Sequence, residues 1–338
     1  MKNIIKTVCI YIGLLIGAGF ASGREILEFF NYKSNNNYTG IIISSFLFCF
    51  ICYTVLLKAS EIKAESFYDY IDNINGRASS VIKYFMLFFM FCGMFVMFAG
   101  SGALFYSLSY LPDVFGCVLM AVICFIVMSF DIKGIVYLNV VLVPLMICGI
   151  IYITFYIASF ENTSVFYSFE SLETGAILSA ICYCSYNTLT AGSVLVPLSS
   201  QMVKRDIKIA SLISGFIIGA LIFVIWMVQG INFEKIWDSE LPMMELSAIC
   251  GKICKRVYTS VLFMSICTTA VSYGFGIMKH FSEKIKSAGD RIFFSASICL
   301  CALPPAMYGF SALVSKLYSF FGFIGVVWMV WILIDKYK

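Results

Sequence analysis

Two ionisable residues and several glycines meet in the stretch YIGLLIGAGFASGREILEFF near the N-terminus. Arg24 and Glu25 are ionisable, and Gly17, Gly19 and Gly23 interrupt an otherwise apolar sequence. A helix broken at glycines exposes amide N–H groups, which attract an anion, and carbonyl groups, which attract a cation. Glycine also lets a ligand approach the backbone closely. The stretch therefore favours a binding site for a small ligand that carries both charges.

The positions of the glycines determine which backbone N–H and carbonyl groups the break makes available to a ligand. The break supplies N–H groups from Ala21, Ser22 and Gly23, and carbonyl groups from Ile16 and Gly17. A zwitterion would use both sets. A side chain added at Gly23, as in Gly23→Leu, is expected to fill this cradle and to leave the fold intact.

The composition places the stretch in a membrane. Of the 338 residues, 61% are hydrophobic and 12% are charged, whereas about a quarter of the residues of a soluble domain are charged. The apolar residues form blocks long enough to cross a bilayer. Because such blocks recur along the chain, we expect the first to be a span and not a cleaved signal peptide. We expect a protein of the cell membrane, surrounded by the lipid bilayer, with no nucleic-acid partner.

The apolar blocks divide into ten predicted spans of about 20 residues each. They form a single polytopic domain over residues 1–338, with no linker or second domain. The predicted spans are 4–30, 39–57, 81–110, 114–130, 134–158, 174–200, 207–230, 255–281, 291–308 and 312–334.

Basic residues predict the orientation of the chain. If the N-terminus is cytoplasmic, all but seven of the 23 lysine and arginine residues fall on the cytoplasmic side. Because cytoplasmic loops of membrane proteins carry an excess of these residues, both termini are expected inside. Four of the exceptions lie in the segment 231–256, which we expect to be an external connection with a short amphipathic helix.

The sequence contains no pattern typical of a catalytic or metal site. The cysteines lie mostly in apolar runs, where a free thiol packs as a small hydrophobe, and the only histidine is His280. No Ser/His, paired-aspartate or zinc-ligand spacing is present. We therefore expect a protein that is not an enzyme and that has no metal site or cofactor, apart from Na⁺ or H⁺ as a coupling ion.

The glycines of the first span lie deep in the membrane. At about 1.5 Å per residue, Gly17 lies about 20 Å from Ile4 along the helix, near the middle of a hydrocarbon core about 30 Å thick. Backbone groups exposed there need protein or a water-filled cavity around them. The sixth span has a polar run at Ser185, Tyr186 and Asn187 at a similar depth.

Interruptions at matching positions of two halves are typical of transporters built from inverted repeats. The first span runs outward and the sixth inward, so each opens one half of the chain in the opposite orientation. The predicted fold is all-α, with a 5+5 inverted repeat that comprises roughly residues 1–160 and 170–338. The first and sixth spans are predicted to be broken in mid-membrane.

Close helix packing is the alternative explanation of the glycines. Small residues four apart, such as Gly13 and Gly17, let helices approach closely in lipid. A phosphate-binding loop is disfavoured, because GAGFASGR lacks the spacing and the Lys-Ser/Thr pair of a P-loop. Glu25 favours a ligand site, since ionisable residues at membrane depth usually face a cavity or a partner.

The segment IGAGFASGREILEFF resembles the opening motif of the YkvI-type bacterial membrane proteins, distant members of the amino acid, polyamine and organocation transporter superfamily. The segment CTTAVSYG, residues 267–274, is also similar to this family. The resemblance extends over the whole chain. It implies the ten-span inverted-repeat fold of LeuT-like transporters, with the substrate held between spans one, three, six and eight.

The resemblance also implies the residues of the site. Those expected to hold the substrate are Gly17, Gly19, Ala21, Ser22, Gly23, Gly100, Ser101, Tyr183, Ser185, Tyr186 and Asn187. Those expected to hold the coupling ion are Gly17, Glu25, Thr268, Thr269 and Ser272.

Alternatives remain open for part of this set. Gly100 and Ser101 would also suit close helix packing, and the hydroxyl groups of the eighth span would also suit hydrogen bonds to their own helix. Some proton-coupled relatives place a lysine in the fifth span, whereas residues 134–158 contain no charged residue. This departure favours sodium as the coupling ion.

The expected function is secondary active transport, by alternating access, of an amino acid or a similar small zwitterionic or cationic organic substrate. Coupling to an ion would make the protein a symporter. A ligand-sensing membrane receptor subunit is the alternative, because spore germinant receptors include subunits of related architecture. Such a receptor needs a protein partner, which the sequence does not identify.

Overall fold

The computed structural model describes residues 2–32, 38–64, 67–75, 79–132, 138–160, 174–199, 202–282 and 285–334. Regular structure in these ranges is helical. In an apolar environment a helix satisfies its backbone groups internally, which is why apolar blocks of this length form helices. The helices are α1 (Lys2–Leu15), α2 (Ala18–Ser22), α3 (Arg24–Ile26), α4 (Thr39–Glu61), α5 (Phe67–Asn75), α6 (Ser79–Ser109), α7 (Asp113–Ser129), α8 (Asn139–Phe160), α9 (Thr174–Ser199), α10 (Lys204–Ile231), α11 (Phe233–Ile236), α12 (Pro242–Ile249), α13 (Lys252–His280), α14 (Ala288–Ala306), α15 (Phe310–Leu313) and α16 (Ser319–Ile334).

Two short π-helical stretches extend this set. One, Leu27–Tyr32, continues α3, and the other, Val314–Tyr318, joins α15 to α16. A π-helical turn widens the backbone locally and is frequent at functional sites. The first and the last helical segments therefore both depart from regular α-helix.

Six helices in the described residues are long and apolar enough to cross a membrane. They are Thr39–Glu61, Ser79–Ser109, Asn139–Phe160, Lys204–Ile231, Lys252–His280 and Phe310–Val330. Two shorter apolar helices are Asn3–Leu15 and Asp113–Ser129. Each of the ten predicted spans contains helix in its described part, while the count of ten crossings stays a prediction.

The helices pack in two groups. In one, α4 lies between α9 and α10, α1 contacts both α9 and α10, and α16 packs on α9. In the other, α6 packs against α7 and α13, and α14 contacts α6 and α7. Helix α8 contacts both α10 and α13. Helix α2 contacts α13 of the second group. The interrupted first segment therefore lies where the two groups meet.

Helix α9 is continuous, so the predicted break of the sixth span is wrong. The polar side chains in its middle donate hydrogen bonds to carbonyl groups of the preceding turn. Ser185 Oγ donates to the Ile181 carbonyl at 2.6 Å, and Thr188 Oγ1 donates to the Cys184 carbonyl at 2.7 Å. Such bonds satisfy a polar side chain without opening the helix.

The predicted helix in the segment 231–256 is confirmed as α12. The side of the membrane on which it lies stays a prediction, as does the position of the termini. Part of the charge pattern behind that orientation falls outside the described residues, namely Lys33, Arg77, Lys133, Lys284, Lys336 and Lys338.

Candidate functional site

The first helical segment is interrupted at Gly17 and again at Gly23, as the glycines predicted. Helix α1 ends at Leu15, and Gly17 is extended (φ −86°, ψ −172°) before α2 begins. Gly23 has a left-handed conformation (φ 78°, ψ −5°), which glycine adopts without the penalty that a side chain brings. The Ile16 N–H still donates to the Ile12 carbonyl at 2.9 Å, and the end of α1 leaves the following carbonyl groups of its last turn without partners in the helix.

A cavity of about 410 Å³ lies beside this interruption. Ligand pockets have volumes of roughly 300–1,000 Å³, so this one suits a small molecule. Its walls come from α1, α2, α6, α9 and α13, with α3, α8 and the π-helical stretch before α16 adding single residues. Seven of the predicted site residues line it: Gly17, Gly19, Glu25, Tyr186, Asn187, Thr269 and Ser272.

Glu25 is the carboxylate of the cavity. The residue is 5% exposed, and its Oε2 accepts a hydrogen bond from the Tyr186 hydroxyl. Its Oε1 has no hydrogen-bond donor in the described part of the chain. A buried carboxylate is costly unless it is neutralised or paired. The site therefore attracts a proton or a cation.

Neutral oxygen atoms form a second part of the cavity. The Thr269 Oγ1 lies 3.9 Å from the position that a Cβ at Gly17 would take, so the two predicted ion-binding residues are close together. The Thr268 hydroxyl contacts Asn139 Oδ1 at 2.6 Å and the Ser265 carbonyl at 3.0 Å. Among these, Thr268 does not line the cavity. Its hydroxyl holds α13 to α8.

Ser272 lines the cavity, but its hydroxyl donates to the Thr268 carbonyl at 2.7 Å. Such a bond to the preceding turn is the alternative role expected from the sequence for the hydroxyl groups of the eighth span. A hydroxyl so engaged still has lone pairs to offer. Its role in ion coupling stays a prediction.

Two of the three amide groups predicted to bind an anion are already engaged. The Ala21 N–H donates to the Gly17 carbonyl at 2.9 Å, and the Gly23 N–H donates to the Phe20 carbonyl at 3.0 Å. The Ser22 hydroxyl donates to the Gly19 carbonyl at 2.7 Å. None of the three predicted anion-binding residues lines the cavity.

Gly23 is instead a close-packing position. A Cβ there would lie 2.5 Å from Gln229 Nε2 and 2.6 Å from Met243 Cγ. Gln229 Nε2 also donates to the Gly23 carbonyl at 2.8 Å, and Gln229 Oε1 accepts from Asn31 Nδ2 at 3.2 Å. A leucine at position 23 would therefore enter the protein core, which corrects the expectation that it would fill the ligand cradle.

Tyr183 and Ser185 lie outside the cavity. The Tyr183 ring packs at centroid distances of 5.4 Å from Phe29, 5.1 Å from Phe30 and 5.8 Å from Phe48. Ser185 faces α16, where a Cβ at Gly325 would lie 2.7 Å from the Ser185 carbonyl oxygen. Both residues stabilise the packing of α9.

Gly100 and Ser101 also pack helices together, which was their alternative explanation. A Cβ at Gly100 would lie 3.3 Å from the Phe310 ring. The Ser101 hydroxyl donates to the Gly116 carbonyl at 2.9 Å. Neither residue lines the cavity.

The sequence reasoning did not identify several residues of the cavity wall. Tyr273 lies in the segment CTTAVSYG, so the second resemblance could have found it. Asn139 and Tyr318 come from helices that had not been connected to the site. Met86 and Met90 are apolar residues in an apolar helix, and their types alone give no signal.

A network of hydrogen bonds and an ion pair surrounds Arg24, on the side of the break away from α1. Arg24 Nη1 donates to the Ser239 carbonyl at 2.8 Å, and Nη2 lies 3.5 Å from Glu28 Oε2. Ser315 donates to Glu28 Oε1 at 2.7 Å. Burial raises the pKa of the neighbouring Glu240 carboxyl group above its usual value, and a backbone N–H of α15 partly opposes this. The network joins the first segment to the 237–241 turn and to the last helical segment.

The described residues contain no group of three or more His, Cys, Asp or Glu side chains that could hold a metal ion. Within the described part of the chain, Glu25 is the one His, Cys, Asp or Glu residue that lines the cavity. A monovalent ion bound by neutral oxygens is compatible with the site, whereas a dedicated transition-metal centre needs more ligands.

Comparison with known sequences gives relatives along almost the whole chain. The chain matches no protein-family model. It is 26% identical to the uncharacterized membrane protein YkvI of Bacillus subtilis (strain 168) over 332 residues, 97% of this chain and 94% of YkvI. It is 25% identical to the uncharacterized protein YyaD of the same organism over 333 residues, 98% of this chain and 96% of YyaD.

Solved structures with the same fold are membrane transporters. A manganese transporter of Eremococcus coleocola, in complex with an aromatic bis-isothiourea substituted compound, matches with a TM-score of 0.63 and 12% identity, over 98% of this chain and 78% of that one. A Na⁺-coupled sialic acid symporter, in a substrate-bound outward-open state, matches with a TM-score of 0.57 and 14% identity, over 98% and 86%. At these identities the likeness concerns the fold. The chain is a helical membrane protein that shares its fold with these transporters and resembles YkvI and YyaD along its length.

Proposed function

We propose that this protein is a secondary active transporter for a small amine-bearing organic substrate, such as an amino acid or an organic cation. The observation that carries the proposal is the cavity of about 410 Å³ at the break of the first helical segment, with Glu25 buried in its wall. Transporters place their substrates at such breaks, where exposed backbone groups line a cavity. We assign the protein to the amino acid, polyamine and organocation superfamily and to the cell membrane.

The pairing of helices supports two repeats of five spans. If α9 begins the second repeat, each helix of one repeat has a counterpart at the same position of the other repeat. Many contacts between two helices then correspond to an observed contact between their two counterparts. The contact of α4 with α9 corresponds to that of α10 with α1, and the contact of α15 with α6 corresponds to that of α8 with α13. The contact of α16 with α9 corresponds to that of α8 with α1.

The position of the cavity supports alternating access. Its wall includes Gly13 to Gly19 of the first segment and Thr269 to Gly276 near the end of α13. With both termini cytoplasmic, these residues reach from the cytoplasmic half of the bundle to its middle. The Arg24 network lies on the other side of the break. We therefore assign this structure to a state closed toward the exterior, and transport requires that the network open.

The coupling ion is proposed to be sodium, bound between the end of α1 and α13. Gly17 and Thr269 are adjacent there, and the carbonyl groups that follow Ile12 in the last turn of α1 lack helical partners. Hard cations prefer such neutral oxygen ligands. Glu25 offers the alternative, in which a proton is the coupling ion.

Uptake into proteoliposomes tests transport and coupling together. The purified protein is reconstituted and given a panel of radiolabelled amino acids and amines, under a sodium gradient at constant pH or a pH gradient at constant sodium. We expect sodium-driven accumulation that falls at least about tenfold in Thr269→Ala, because one ion ligand is lost. Uptake that responds to pH and not to sodium would move the coupling role to Glu25.

The same preparation separates a transporter from a receptor. A transporter accumulates ligand in liposomes that contain no other protein. Ligand that binds and stabilises the purified protein but never accumulates would contradict the proposed function and favour a sensing role.

A further inference from the structure

The ionisable side chain in the cavity wall is acidic. Glu25 supplies a carboxylate that is 5% exposed, with Oε1 free of donors in the described part of the chain. No lysine, arginine or histidine of the described residues lines the cavity. An anionic group on a ligand would meet this carboxylate in a site of low polarity, where like charges repel strongly.

Four groups near the break that could bind a ligand carboxylate are already engaged. The Asn187 amide donates to the Tyr183 carbonyl at 2.9 Å, and the Ser272 hydroxyl donates to the Thr268 carbonyl at 2.7 Å. The amides of Ala21 and Gly23 donate to carbonyl groups within the first segment. A ligand carboxylate beside Glu25 would lose its hydration without a hydrogen bond from these four groups, which is unfavourable.

Aromatic rings complete the wall around Glu25. Tyr186, Tyr273 and Tyr318 line the cavity. The rings of Tyr186 and Tyr318 lie 4.8 Å apart between centroids with a 33° interplanar angle. An ammonium group is attracted to the face of such rings, and groups of aromatic side chains beside an acidic residue suit organic cations.

A dedicated transition-metal site fits this wall poorly. Such sites usually combine several imidazole, thiolate or carboxylate ligands, and Glu25 is the one residue with such a group that lines the cavity within the described chain. The volume of about 410 Å³ also exceeds what a bare ion needs. An organic cation agrees better with both observations.

We propose that the substrate is a small organic cation without a carboxylate, a primary amine or a quaternary ammonium compound. Its charged group binds beside Glu25 and Tyr186, against the rings of Tyr273 and Tyr318. This proposal rests on the proposed function and narrows its substrate class, because amino acids and betaines are excluded.

Matched ligand pairs test this proposal without requiring transport. The full-length protein, purified in detergent, is mixed at one pH with phenethylamine or phenylalanine, cadaverine or lysine, and choline or glycine betaine. The thermal unfolding midpoint is then followed against concentration, since a ligand that binds the folded state raises it. We expect at least one amine or choline to bind about tenfold more tightly than its carboxylate-bearing partner.

Variants assign the selectivity to the cavity. Glu25→Gln keeps the size of the side chain and is expected to weaken binding of the cation about tenfold or more. Glu234→Gln removes a carboxylate from the exposed surface of α11 and should leave binding unchanged. If Glu25→Gln does not fold, Tyr273→Leu replaces it, and a several-fold loss of affinity is expected.

The outcomes separate this proposal from the proposed function. An amino acid or betaine that binds as tightly as its amine, or a cation whose affinity is equal in wild type and Glu25→Gln, would overturn the substrate class even if uptake occurs. Absence of binding by every amine and by choline would overturn it too. Cation binding without accumulation in proteoliposomes would support the substrate class and contradict transport.

Discussion

The first helical segment and α9 run side by side along the cavity, and both carry polar residues within apolar sequence. The first segment is interrupted at Gly17 and turns left-handed at Gly23. Helix α9 continues through Ser185 and Thr188 to Ser199. Two similar patterns thus have different backbone outcomes.

The two segments differ because glycine weakens a helix, whereas a serine or threonine side chain forms a hydrogen bond with its own helix. Glycine lowers helix stability and permits a positive φ, so the backbone can leave the helix at Gly23. Serine and threonine bond the carbonyl groups of the preceding turn, as Ser185 and Thr188 do at 2.6 and 2.7 Å. Inside a membrane, polar residues alone do not indicate a broken helix. Glycines next to an ionisable residue do so in this chain.

The largest expected effect comes from Gly23→Leu, which attacks the interrupted segment directly. The left-handed backbone costs a side chain about 1–2 kcal/mol, and the Cβ alone would approach Gln229 and Met243 to 2.5 and 2.6 Å. Overpacking adds about 1–3 kcal/mol. We expect loss of monodisperse protein on size-exclusion chromatography or a strongly lowered unfolding midpoint.

A second glycine separates the two causes. Gly251 also has a positive φ of 106°, but a Cβ there would have nothing within 4 Å. Gly251→Ala should therefore show a backbone penalty alone, and with ψ 164° this backbone is at least as unfavourable for a side chain as that of Gly23. Gly23→Ala should still show the larger loss of stability. A loss in Gly23→Ala no larger than the backbone cost of about 1–2 kcal/mol would contradict the close packing at Gly23.

Gly19→Ala is expected to disturb the site more than the fold. An added Cβ would overlap the Glu25 carboxylate, which is the end of a flexible side chain and can move. Displacing it from Tyr186 should lower ligand affinity about tenfold, the worth of one charge-assisted hydrogen bond, with a small change in unfolding midpoint.

Gly13→Ala is the matched control for this variant. Gly13 lines the same cavity, but a Cβ there would only touch Val143 at 3.8 Å. The ligand titrations used for the wild type apply to both variants. If Gly13→Ala weakens binding as much as Gly19→Ala, the position of Glu25 is not what determines affinity.

Sequence reasoning predicted the helical segments and the interruption at Gly17, because apolar block length and glycine spacing are local properties. It also found Glu25 and Thr269, since ionisable and hydroxyl residues in apolar helices are conspicuous. It could not find Tyr318 or Asn139, which reach the cavity through the packing of distant helices. It also could not show that the N–H groups of Ala21 and Gly23 bond within their own segment, because this depends on backbone angles.

The smallest expected effects are in the polar run of α9. Ser185→Ala and Thr188→Val each remove a side-chain hydrogen bond to the preceding turn of the same helix. The backbone bonds of the helix stay in place, so only a small change in stability is expected. Both variants should keep wild-type ligand affinity.

Tyr186→Phe, in the same run, removes the hydroxyl that donates to Glu25 and should clearly lower ligand affinity. Circular dichroism and ligand titration of the three variants measure this contrast. A loss of binding in Ser185→Ala equal to that in Tyr186→Phe would mean that the run contacts substrate along its length, which would restore the functional role predicted for Ser185 even though α9 is unbroken.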